Sequence, residues 1–205
     1  CSFNITTSGG ADVITLGANA LGDTVSSGAG ADTITMGTGD ESITTGAGND
    51  TIAGGADVGV NDTLIGGADT DLLTITGSAT VTTEANFQTI ENVNWTDSAA
   101  QDVVTFVGQS EAIVFTLGAD TADAGPDSFL MGSGNDTIVG GEQIEEAIGE
   151  TINGGGGTDT VQFNGLFDDS IDNNLISVEN LVMNVSGTLN VSSQTEDFPV
   201  TGFTG

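Results

Sequence analysis

Asp32, Glu41 and Asp50 stand nine residues apart, and an isoleucine follows each of them two positions later (Ile34, Ile43, Ile52). Glycines precede each acid at two and four positions: Gly28 and Gly30, Gly37 and Gly39, Gly46 and Gly48. Glycine tolerates the positive φ angles of tight turns and leaves backbone carbonyls free to face a ligand. Carboxylates beside such turns form an all-oxygen donor set, which is what hard divalent cations, Ca²⁺ above all, prefer. The chain needs such a cation. Among its 205 residues are 30 Asp plus Glu and no Lys, Arg or His, for a formal charge of −30. A compact state with that charge repels itself, and no internal salt bridge can relieve it.

The same composition excludes other chemistry. Without His, Lys, Arg or Tyr, most general bases, oxyanion clamps and phosphate cradles are missing, so no enzyme is expected. A carboxylate pair of the glycosidase type could be assembled, but the repeats already account for the carboxylates by metal binding. The single cysteine is Cys1, which rules out an internal disulfide and leaves zinc without its usual ligands. Gly154 to Gly157 lack the lysine of a phosphate loop. Nucleic acid is excluded as a partner because phosphate contacts need basic side chains. No apolar run is long enough to enter a membrane directly. The start at Cys1, with no initiating Met and no leader-like stretch, is read as a processed end or an excerpt.

Strands must position these acids. In an acid-x-aliphatic-x unit alternate side chains face opposite ways, so the aliphatic residue points inward and residues such as Thr33, Thr51 and Thr137 point out. The pairing recurs at Asp12/Ile14, Asp23/Val25, Asp62/Leu64, Asp71/Leu73, Asp102/Val104, Glu111/Ile113, Asp127/Phe129, Asp136/Ile138, Glu150/Ile152 and Asp159/Val161. Asp120 keeps the register but is followed by Ala122. Two units completing one coil would stack acids eighteen residues apart: Asp32 over Asp50, Asp23 over Glu41, Asp102 over Asp120. Acidic chains are often disordered, but here 37% of residues are hydrophobic and only 15% charged. A folded state with calcium and a disordered one without it are therefore expected.

These units resemble the RTX (repeats-in-toxin) nonapeptide, Gly-Gly-x-Gly-x-Asp-x-aliphatic-x, with the closest copies at 46–54, 132–140, 28–36 and 155–163. The resemblance implies an all-β parallel β-roll with several Ca²⁺ ions in its turns, and export by a type I secretion system to the outside of the cell. The metal ligands it suggests are Asp23, Gly28, Gly30, Asp32, Glu41, Gly46, Gly48, Asn49, Asp50, Asp62, Asp69 and Asp71. In the second half they are Asp102, Asp120, Asp127, Gly132, Gly134, Asn135, Asp136, Gly155 and Asp159. Glu at 41, 111 and 150 departs from the pattern, as do the insertions between 50 and 62 and between 136 and 150.

A longer period is superposed. Asp23, Asp32, Asp62, Asp71 and Glu91 recur 88 residues later as Glu111, Asp120, Glu150, Asp159 and Glu179. The chain accordingly divides into two tandem repeats of about 88 residues, 1–99 and 100–187, with 188–205 as a cap or an exchanged strand. The segments Ile90-Glu91-Asn92-Val93 and Val178-Glu179-Asn180-Leu181 are read as strands or wider coils whose apolar residues pack on the roll. Outward threonine rows would suit an ice-binding face, but threonine also suits the exposed face of any strand. Strand edges at solenoid ends invite head-to-tail stacking of copies. The expected function is that of a secreted, calcium-stabilised structural subunit of a filament, matrix fibre or surface layer. The alternative is a β-roll module of a larger adhesin or exoenzyme.

Overall fold

The computed structural model of the chain describes residues 1–18, 21–55, 58–59, 61–76, 80–82, 87–96, 103–106, 108–118, 128–140, 151–164, 167–168, 175–184, 189–190 and 200–201. Most described acid-x-aliphatic units lie at the start of a short strand, because β-branched Thr and Ile suit a pleated surface and the flanking glycines end it. Ten strands form the main sheet: β2 (Val13–Thr15), β4 (Thr33–Thr35), β6 (Thr51–Gly55), β8 (Leu72–Thr76), β11 (Asn92–Thr96), β13 (Val114–Leu117), β15 (Thr137–Gly140), β17 (Thr160–Phe163), β20 (Asn180–Met183) and β22 (Val200–Thr201). A second sheet holds β1 (Asn4–Thr6), β3 (Thr24–Ala29), β5 (Ser42–Ala47), β7 (Thr63–Ala68) and β10 (Phe87–Gln88). A third holds β9 (Thr80–Thr82), β12 (Val103–Thr105), β14 (Ser128–Leu130), β16 (Thr151–Asn153) and β19 (Leu175–Ile176), and β18 (Phe167–Asp168) pairs with β21 (Leu189–Asn190). Every ladder is parallel, with neighbouring strands contributed by successive coils. Among the described residues there is no helix, so the chain is a parallel β-solenoid, as the resemblance implied.

In-register stacking carries the inward aliphatic residues into continuous columns. Ile14, Ile34, Ile52 and Leu73 lie beside one another, followed by Val93, Phe115, Ile138, Val161 and Leu181. Val25, Ile43, Leu64 and Phe87 do the same in the second sheet. All are buried, and each contributes about 2 kcal/mol by leaving water. Midway along, aromatic rings fill a wider core. Phe115 lies 6.5 Å from Trp95, 5.8 Å from Phe106 and 5.4 Å from Phe129, centroid to centroid.

The eighteen-residue step holds only locally. Asp32 does stack with Asp50, and Thr24 pairs with Ser42, which puts Asp23 beside Glu41. Elsewhere the step between stacked acids lengthens to 20, 21 or 23 residues. Coils can lengthen in their turns because only the strands are in register. The expected stack of Asp102 on Asp120 falls outside the described residues; Val103 lies beside Ser128, so β12 is followed in its sheet by β14. Asp102, Asp120, Asp127 and Glu150 themselves lie outside the described residues, as does most of 188–205. Residues 88 apart do not always take equivalent places. Val25 faces the core from β3, whereas Ile113, its counterpart 88 residues on, directly precedes β13 in the place acids take elsewhere in the main sheet. The main sheet runs from β11 to β13 across the expected boundary near residue 99.

Candidate metal sites

The residue before each main-sheet strand sits where the chain leaves its turn, and parallel stacking lines these positions up. For the nine strands from β2 to β20 they are, in chain order, Asp12, Asp32, Asp50, Asp71, Glu91, Ile113, Asp136, Asp159 and Glu179. One hydrogen-bond rule links them. The backbone N–H of Asp12 donates to Asp32 Oδ1 (2.8 Å), Asp32 N–H to Asp50 Oδ1 (2.7 Å) and Asp50 N–H to Asp71 Oδ1 (2.8 Å). Asp71 N–H then donates to Glu91 Oε2 (2.8 Å). A second run starts at Ile113, whose N–H donates to Asp136 Oδ1 (2.8 Å); Asp136 N–H donates to Asp159 Oδ1 (2.8 Å) and Asp159 N–H to Glu179 Oε2 (2.7 Å). Ile113 carries no carboxylate, so the acidic column is split in two.

Each carboxylate after the first, Asp12, thus has one oxygen held by backbone. The other oxygen, Oδ2 of Asp12, Asp32, Asp50, Asp71, Asp136 and Asp159, is buried and has no hydrogen-bond partner. A buried anionic oxygen without a partner is costly, and no side-chain cation exists in the chain to supply one. A shorter column borders the second sheet. There Asp23 Oδ1 accepts from Phe3 N–H, and Asp62 accepts from Glu41 N–H through Oδ1 and from Gly59 N–H through Oδ2. Both carboxylate oxygens of Glu41 are buried and unpartnered.

Burial accordingly disfavours charge. Glu41 is pushed up to about 7, by burial first and then by the neighbouring Asp62 charge. Asp71 and Asp159 are pushed up to about 6, again by burial first. The N–H donors of Asp50 and Asp136 oppose those shifts, while nearby carboxylates reinforce them (Asp50, Glu91 and Asp69 on Asp71; Asp136 and Glu179 on Asp159). Asp62 and Asp136 are also raised by burial against backbone donors.

The glycines two and four residues before these acids make turns that stack closely from coil to coil. Gly28, Gly46 and Gly67 stack in register with φ of 103°, 112° and 112°, and an added Cβ on Gly46 or Gly67 would collide with the glycine carbonyl oxygen of the preceding coil. Gly48 meets the Gly30 carbonyl, Gly155 that of Gly132 and Gly157 that of Gly134 in the same way. Only glycine fits such a cradle. Among the described residues no three or more His, Cys, Asp or Glu side chains cluster, so a site built here would have to join a pair of carboxylates from adjacent coils with backbone carbonyls. That donor set, with its orphaned buried oxygens, fits Ca²⁺.

Of the ligands nominated from the sequence, the structure brings Asp32, Asp50, Asp71, Asp136 and Asp159 into one column and Asp23, Glu41 and Asp62 into the other. Asn49 and Asn135 are placed differently: their Oδ1 atoms accept from Thr70 N–H (3.2 Å) and Thr158 N–H (2.9 Å), bracing coils on the exposed side. Asp69 is exposed, and its φ of 84° puts it in the turn position that Gly30 and Gly48 occupy in other coils. Asp12, Glu91 and Glu179 were missed as site residues. The acid-plus-aliphatic pairing signalled the first, and the 88-residue recurrence signalled the other two.

A family model, the RTX calcium-binding nonapeptide repeat, matches the chain in four copies at residues 4–34, 36–73, 116–143 and 150–171. These cover more than half of the sequence, and the chain belongs to this family: it is a calcium-binding β-roll. No curated protein and no solved structure matches the chain significantly.

Proposed function

We propose that the protein is a secreted, non-enzymatic structural subunit that folds on binding Ca²⁺ and then stacks head to tail into an extracellular filament, fibre or surface layer. The observation that carries the assembly is the apolar character of the first coil. Phe3, Val13 and Leu21 there are 60%, 80% and 59% exposed, and among the described residues the other exposed large apolar side chains are Val114 and Ile176. β1 and β2 are the terminal strands of their sheets, so their outer backbone groups can pair with another strand. A non-closing contact of that kind propagates as a polymer. Folding is tied to calcium because the metal-free columns gather unpaired buried carboxylates in a chain of charge −30. Calcium scarcity inside the cell would keep the chain extended for type I export, and extracellular calcium would fold it.

Electron microscopy of the protein in millimolar Ca²⁺, and again after EGTA, tests this reading. Ordered polymers that dissolve as the β signal in circular dichroism disappears are expected. Calcium-folded monomers that never assemble would refute the polymer and leave a β-roll module of a larger secreted protein.

A further inference from the structure

Each of the two acidic runs ends in the same way, and neither end lies within the residues matched by the nonapeptide model. The last acid is a glutamate, Glu91 or Glu179, whose Oε2 accepts the N–H of the aspartate in the preceding coil. An asparagine follows, and its Nδ2 donates to that aspartate's carbonyl, at 3.4 Å for Asn92 on Asp71 and 3.5 Å for Asn180 on Asp159. Two residues before the glutamate the backbone takes a positive φ on a non-glycine residue: Thr89 at 51° and Ser177 at 50°. That turn aims the Thr89 carbonyl at Gly66 and the Ser177 carbonyl at Gly154.

At both places two oxygens approach one point. A Cβ on Gly66 would collide with the Thr89 carbonyl oxygen and with Asp71 Oδ2; one on Gly154 would collide with the Ser177 carbonyl oxygen and lie 2.6 Å from Asp159 Oδ2. Asp71 and Asp159 are 2% and 0% exposed, and both Oδ2 atoms are buried without a partner. We propose that each run closes with a terminal divalent-cation site of its own. It is built from the aspartate Oδ2, the glutamate carboxylate and the Thr89 or Ser177 carbonyl, in place of the glycine carbonyls of the nonapeptide turn. Glu91 is half-buried and Glu179 is exposed, so water completes the coordination from outside. These two ions exchange faster than those held between aspartates.

The proposal rests on the calcium chemistry of the family and is separable from it. The experiment counts bound Ca²⁺ on the full chain by native mass spectrometry, for the wild type, Glu91→Gln, Glu179→Gln, the double variant and Asp50→Asn. Glutamine keeps an oxygen for the Asp71 or Asp159 N–H and removes only the charge, so a purely structural cap would lose nothing. Each single variant is expected to lose one ion, and the double variant two, with circular dichroism at saturating calcium unchanged. In chelator stopped-flow the fastest release phase should vanish from the double variant. Should Glu91→Gln not fold at saturating calcium, the Glu179→Gln count decides alone. A wild-type ion count and release profile in the double variant, beside a reduced count in Asp50→Asn, would overturn the terminal sites alone. A wild-type chain that binds no calcium would overturn the calcium reading as well.

Discussion

Gly10 and Gly48 occupy the same position of the same turn, two before Asp12 and Asp50, and differ in what lies next to them. Gly10 has a φ of 101° and nothing within 4 Å of an added Cβ; Gly48 has a φ of 121°, and its Cβ would strike the Gly30 carbonyl of the neighbouring coil. Gly10→Ala therefore carries only the strain of placing a side chain at positive φ, about 1–2 kcal/mol. Gly48→Ala carries that strain and must also displace a backbone carbonyl in a ladder whose strands are fixed about 4.8 Å apart. Overpacking of that kind adds about 1–3 kcal/mol. For a domain of this size each kcal/mol moves Tm by about 2–4 °C. Thermal unfolding in saturating calcium should then show a loss of about 2–8 °C for Gly10→Ala and about 4–20 °C for Gly48→Ala. Calcium affinity should fall only in the second, whose clash displaces the Gly30 carbonyl in the turn that leads into Asp32. Equal Tm losses with equal calcium affinities in the two variants would refute the reasoning that stacked carbonyls, and not turn conformation alone, require glycine here.

Other consequences follow from the columns and the core. The raised carboxylates act on the metal-free protein in a definite direction: folding takes up protons at Glu41, Asp71 and Asp159, so that contribution is complete below about pH 4 and is lost as pH rises through about 6 to 7. In EGTA the β signal should accordingly grow on acidification across that window, and a flat pH profile would contradict the burial of these groups. Asp69→Gly removes an exposed carboxylate from a φ of 84° and should raise the unfolding free energy by about 1 kcal/mol in denaturant titrations. A drop in calcium affinity instead would show Asp69 to be a ligand. Phe115→Ala, at a fully buried ring between Trp95, Phe106 and Phe129, should cost about 3–5 kcal/mol at saturating calcium without changing the number of ions bound.

The strands and their inward faces were legible in the sequence because their cause is local. An acid, a β-branched residue and an aliphatic residue at alternating positions make a half-buried strand wherever they occur, and Ile34, Ile43, Ile52, Ile138 and Val161 all face the core as that period requires. Calcium was legible for an equally simple reason: a chain with 30 acids and no base must borrow its positive charge. Asp32 beside Asp50 was found because no insertion separates their units.

What the tertiary structure alone decided is the partner of each acid. Coil length is set by turns and insertions that no nine-residue template records, so Asp50 meets Asp71 at 21 residues and Asp136 meets Asp159 at 23. Glu111 follows the acid-plus-aliphatic template, yet it lies two residues before Ile113, which holds the column position just before β13. Asn49 and Asn135 look like ligands by type, and the register of the coils sets their Oδ1 atoms to accept from Thr70 N–H and Thr158 N–H. Glu91 and Glu179 look like parts of a packing strand and prove to close the two carboxylate runs. Residue identity along the chain fixes which groups can bind a cation, but a site needs oxygens from two coils, and parallel register selects which coils meet.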